Sequence, residues 1–228
     1  MGNLFSSSIG RKLVMSISGL FLILFLLFHM SMNLVAVFST EAYNMICEFL
    51  GAHWYALAGT LVLAAGFLFH IIYAFILTIK NRQARGNQRY AVSKKEEGVS
   101  WASKNMFVLG VIVILGLLLH FYNFWYNMQF AELVGEQVGP YGPADGASYI
   151  ISLFSNPVFV ILYLVWFAAL WFHLTHGFWS AFQTLGWDNQ IWIKRWKCIA
   201  NIFATVVMLC FALVVIVFFL RSFCGGAC

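Results

Sequence analysis

The chain has 228 residues, of which 62% are hydrophobic, 18% aromatic and only 9% charged. An ordinary soluble domain is about 45–50% apolar and about 25% charged, so too few polar groups exist here to cover a water-soluble globule. The same numbers exclude disorder and, despite a net charge of +5, a compact nucleic-acid binder. The solvent this composition suits is lipid.

In chain order, the first apolar run covers roughly 13–38, behind Arg11-Lys12. It is longer than the 7–15 residues of a secretory signal's apolar region and lacks a small-residue cleavage site, which predicts a retained membrane helix. Further runs follow at roughly 53–79, 105–127, 154–182 and 198–220. Each is long enough to cross about 30 Å of hydrocarbon as a helix. None alternates with period two, and an open sheet in lipid leaves its backbone unsatisfied. The expected fold is one all-α integral membrane domain over 1–228, a five-helix bundle.

Between the second and third runs lies a polar, basic segment, 81–104, which contains Tyr90 and Trp101. It reads as a topology signal or as a docking surface for a soluble partner. The segment 128–153 carries Gly139-Pro140-Tyr141-Gly142-Pro143 and is expected to be irregular.

The cations set an orientation. Two of the 13 Lys and Arg precede the first run, seven lie between runs two and three, and three between runs four and five. Only Arg221 lies on the opposite side, with Glu41, Glu48, Glu132, Glu136 and Asp145. The positive-inside rule then predicts a cytoplasmic N-terminus and an external C-terminus. The five cysteines form neither a metal-ribbon spacing nor an even disulfide framework. A Cys224–Cys228 disulfide is permitted on the outer side.

Histidine is the informative polar residue. His29, His70, His120 and His173 each fall in a different span, and an ionisable side chain at membrane depth marks function by default. At 1.5 Å rise per residue, His29 lies about 25 Å from Lys12 and His120 about 24 Å from Lys104, both near the outer side. His70 lies about 15 Å from Lys80, and His173 about 20 Å before Gly186, on the inner or middle side. Two pairs result, His29 with His120 and His70 with His173. Facing imidazoles in a helical bundle suit axial ligation of haem iron, here two b-type haems. Covalent c-type attachment is excluded, because no CxxCH occurs. Gly66, Gly116 and Ala169 stand one turn before three of these histidines and leave room for a close approach. The alternative is that such spacing only packs helices. His176 shares a face with His173 and could replace it as ligand. His53 sits at the outer mouth of the second span, beside Glu48, Trp54 and Tyr55.

Two stretches resemble a known family. Ser7-Ser8-Ile9-Gly10-Arg11-Lys12-Leu13-Val14-Met15-Ser16-Ile17-Ser18-Gly19, followed by His29, resembles the opening of the dihaem cytochrome b subunit of succinate:quinone oxidoreductases. Phe172-His173-Leu174-Thr175-His176-Gly177-Phe178-Trp179-Ser180 resembles that family's fourth-helix motif. The resemblance implies a multi-pass subunit of the bacterial inner (cytoplasmic) membrane in a succinate dehydrogenase or fumarate reductase. It would anchor a flavoprotein and an iron–sulfur subunit on the cytoplasmic face and pass electrons between the latter and menaquinone. The dicarboxylate site would be on another subunit, and a dimer of heterotrimers is left open. His70 and His173 would hold the proximal haem, and His29 and His120 the distal one. Some relatives carry a Glu two residues before the fourth-helix ligand, implicated in a proton path; Trp171 stands there in this chain. Glu48, with His53 as a second candidate, would serve as the quinone-side proton group; the alternative for either is a plain polar surface residue.

Three other readings compete. A nitrate reductase's dihaem subunit also has five helices, but it places its ligands in pairs on two helices. A transporter using histidines as a proton relay would be expected to carry buried carboxylates or broken helices, and neither is seen. A haem-free membrane anchor is the third.

Overall fold

The computed structural model describes residues 7–85 and 100–224. Arg89, Lys94, Lys95 and Tyr90 of the basic segment, and Cys228, lie outside the described residues. Five helices are long and apolar enough to cross a membrane, over Ile9–Phe38, Trp54–Ala84, Met106–Val134, Pro157–Thr184 and Trp192–Phe223. No strand occurs among the described residues. Several helix ends run past the expected apolar limits, because hydropathy marks what lipid will accept whereas the backbone bonds continue into polar residues such as Lys80 to Arg85; the fourth span instead starts later than expected, at Pro157 rather than 154.

Local chemistry sets the helix ends. Helix α1 (Ser8–Phe38) begins where the Ser7 hydroxyl accepts from the Gly10 amide at 2.9 Å. Ser39 serves two helices: its N–H donates to the Val35 carbonyl at the end of α1, and its hydroxyl accepts from Ala42 to open α2 (Thr40–Phe49). Helix α3 (Trp54–Arg85) returns to the basic end of the molecule, where a single turn, α4 (Trp101–Lys104), precedes α5 (Met106–His120). The third span continues through a π-helical segment, Phe121–Phe130, into α6 (Ala131–Val134).

The glycines and prolines of 128–153 led to the expectation of an irregular segment, and the structure corrects it. The span reaches Val134, and Gly146–Phe154 form a helix, α7. Asp145 caps it, accepting from the Ser148 amide at 3.3 Å, and the break is confined to 135–145. Asn156 then caps α8 (Pro157–Thr184), with Pro157 in the first turn, where its missing N–H costs nothing. Gly186, at φ 87°, ends α8 with paired bonds from Trp187 to the Phe182 carbonyl and from Gly186 to that of Gln183. This left-handed turn is one that glycine makes without a Cβ penalty. Helix α9 (Trp192–Phe223) completes the bundle.

The core lies where α1, α8 and α9 meet. Ala36, Ala200 and Ala204 are fully buried there and let the backbones close in. Trp171 ties α8 to α9 by donating to the Thr205 hydroxyl at 2.9 Å. Arg221 ties the far ends of α9 and α1 by donating to the Val37 carbonyl at 3.0 Å. That bond also gives Arg221, the cation expected on the acidic side, a structural task. Helix α3 is peripheral: it packs along α1 and presents Leu61, Leu68, Ile72 and Ile79 outward. It reaches the third span near both ends, through Thr60–Gln129 (3.0 Å) and through the Phe75–Phe107 ring contact (5.7 Å).

Candidate cofactor site: two histidine pairs

The four intramembrane histidines come together as two pairs. The rings of His29 and His120 lie with centroids 5.7 Å apart and planes at 87°. Those of His70 and His173 are 6.4 Å apart at 67°. Matching depth on two spans that run in the same direction (the first and third for His29 and His120, the second and fourth for His70 and His173) thus becomes side-chain proximity in both cases.

The pairs have different surroundings. His120 is ringed by Phe124 (5.1 Å), Trp166 (5.8 Å) and Tyr163 (6.4 Å). His29 lies against Phe25 and Phe211. The Asn33 amide approaches the His29 ring only at 3.4 Å or more, and it makes its short bond, 2.8 Å, to the His29 carbonyl. Asn33 in turn accepts from the Tyr43 hydroxyl at 3.1 Å. The other pair has a hydroxyl and two glycines instead. His70 Nδ1 is 3.1 Å from Ser18 Oγ. A Cβ on Gly19 would meet His70 Cε1 at 3.4 Å, and one on Gly110 would meet His173 Cε1 at 3.9 Å.

The glycines singled out by sequence do permit a close approach, but of aromatic rings from neighbouring helices. The space beside Gly66 is taken by the Phe21 ring and that beside Gly116 by the Trp166 indole, whose N–H donates to the Val113 carbonyl at 3.1 Å. The glycines that face histidines, Gly19 and Gly110, are far from them in sequence. Helical spacing within one span does not reveal such partners.

The donor set fits haem iron. Each pair supplies two imidazoles from different helices, and single imidazole–metal bonds of about 2 Å suit rings held at these separations. His120 Nδ1 and His173 Nδ1 are buried with no hydrogen-bond partner, which buried polar groups rarely tolerate without a ligand or water. Among the described residues no three or more His, Cys, Asp or Glu side chains cluster as a metal-ion site would need. His176, whose Nδ1 is also buried and unpartnered, sits edge-on to Trp179 at 5.1 Å. Lys197 lies over that same indole at 4.7 Å. His176 makes no ring contact with His70.

Glu48 and His53 stand at the acidic end and are exposed. Glu48 lines an open cleft of about 290 Å³ with Glu41, Asn44, Met45, Ala144 and Asp145. His53 stacks on Tyr55 at 5.4 Å. Neither is hydrogen-bonded to or in ring contact with His29 or His120. Burial raises the Asp145 carboxyl, but hydrogen bonds from Ser148 and from Asn44 (2.8 Å) outweigh it and hold its pKa below the usual value. Asn44 also accepts from the Ala147 amide at 2.9 Å, so it clamps α2 to α7. Beneath it, burial pushes the Cys47 thiol up to about 11.

Searches of family models, characterised proteins and solved structures found no match to this chain.

Proposed function

We propose that the chain is a dihaem cytochrome b: the membrane anchor of a succinate:quinone oxidoreductase, working as succinate dehydrogenase or fumarate reductase. The observation that carries this reading is the pairing of four intramembrane histidines, one per helix, at two depths. When bound, haem supplies one-electron transfer, and two haems at different depths give a path across the bilayer. His70 and His173 hold the group nearer the basic end, and His29 and His120 the one nearer the acidic end.

The cation distribution supports a cytoplasmic basic end and an external acidic end. A flavoprotein and an iron–sulfur subunit dock on the cytoplasmic face, and menaquinone exchanges electrons with the chain. Glu48 and His53 are the groups proposed to handle quinone protons, since both are exposed ionisable side chains at the external end. The Trp171 indole, committed to Thr205, offers no carboxylate for a proton path through α8. The bacterial inner membrane is the compartment this assembly implies.

The test is optical. In membranes containing the chain, menaquinol should reduce a low-spin b-haem signal, and succinate should do so when the soluble subunits are present. A purified chain with no haem absorption contradicts the proposal, and a haem signal that neither donor reduces contradicts the quinone and succinate assignment.

A further inference from the structure

Among the described residues, Ser18 is the only side chain that makes a firm hydrogen bond to a ring nitrogen of the four paired histidines. Its oxygen lies 3.1 Å from His70 Nδ1, across 52 residues of sequence and from a different helix. The same oxygen lies 3.0 Å from the Met15 carbonyl, in donating geometry. A hydroxyl carries one proton, and a carbonyl can only accept. Both bonds exist together only if Ser18 donates to Met15 and His70 donates its Nδ1–H to Ser18. His70 is then the tautomer protonated on Nδ1, and Nε2 keeps the lone pair. Which nitrogen binds a metal is set by the hydrogen bond that the other one makes.

Gly19 completes the cradle. The His70 ring edge rests over it, with Cε1 3.4 Å from where a Cβ would stand, so the ring reaches the α1 backbone closely enough for Ser18 to hold it. His120 Nδ1 and His173 Nδ1 have no such partner, and the Asn33 contact to His29 is 3.4 Å at its shortest. The two pairs therefore differ at one imidazole.

We propose that Ser18 is a positioning residue. It fixes the Nδ1–H tautomer and ring orientation of His70, presents Nε2 to iron, and makes that imidazole a more basic ligand than its counterparts. The inference rests on the dihaem reading and deepens it. A more basic imidazole favours ferric iron, so losing the bond should raise the midpoint potential of the inner haem. Second-sphere partners of this kind are worth about 10–100-fold in metal affinity.

The experiment is a redox titration of the purified protein with both haems resolved, for the wild type, Ser18→Ala and Ser18→Thr. Haem retention and thermal stability are measured alongside. Ser18→Ala should raise the inner potential and weaken inner-haem retention about tenfold, while the outer haem, held by His29 and His120, stays unmoved. Ser18→Thr keeps a hydroxyl that can accept, and should restore both values. An inner haem that Ser18→Ala leaves unmoved overturns the inference. So does a loss of stability that shifts both haems alike and that Thr does not rescue, because it would show Ser18 to be a packing residue. A wild-type protein with no haem overturns the functional reading beneath it, a result separate from an unmoved Ser18→Ala.

Discussion

The two histidine pairs each bring together two imidazoles, but in different environments. The pair near the acidic end is walled by Phe25, Phe124, Tyr163, Trp166 and Phe211 and receives no firm hydrogen bond at a ring nitrogen. The pair near the basic end faces two glycines and the Ser18 hydroxyl. Identical ligands in unlike surroundings are how a protein makes two cofactors of one kind differ in potential, because the levers left to it are second-sphere bonds and local polarity. The comparison teaches that which histidines meet is set by the helices that cross at each depth, while what surrounds each pair is set by residues far away in sequence.

The strongest way to break the comparison is to remove a ligand from one pair only. His173→Ala should abolish the inner haem and leave the outer one, apart from losses through poorer assembly. His176→Ala should retain both, because His176 turns to Trp179 and makes no ring contact with His70. Difference spectra with haem quantified decide this, and an inner haem lost with His176→Ala but kept with His173→Ala would reassign the pair to His70 and His176.

A smaller effect separates the walls. Gly116→Ala places a Cβ in the Trp166 ring and should cost about 1–3 kcal/mol, as overpacking does, disturbing the outer haem's spectrum. Gly110→Ala meets only His173 Cε1 at 3.9 Å, an ordinary contact, and should melt near the wild type. Thermal unfolding in detergent, followed through the haem bands, reads both.

The smallest expected change in the haems is that of Glu48→Gln. It should slow menaquinol turnover while leaving both spectra as they were, since Glu48 contacts neither outer histidine. Unchanged turnover would return Glu48 to an acidic surface residue.

Much of the architecture was legible in the sequence because lipid imposes a coarse rule. Five apolar runs became five helices. The histidine depths needed only the rise per residue, so both pairs followed from spacing. Helix α7 was hidden because glycines and prolines precede it, while its cap, Asp145, depends on a clamp with Asn44 from 101 residues away. The π-helical segment after His120 left no readable signal in Phe121–Phe130. Gly66 and Gly116 did announce close approach, but sequence could not say that Phe21 and Trp166 would make it. Ser18 is plain in the sequence of α1, yet its partner His70 depends on how α3 lies along α1.

The central claim is that each chain holds two haems, one per histidine pair. The most direct measurement is haem quantified per polypeptide in the purified protein, with the low-spin character of the iron read from the same sample. The account predicts two low-spin haems per chain. A ratio of one or none, or high-spin iron at either site, would contradict it.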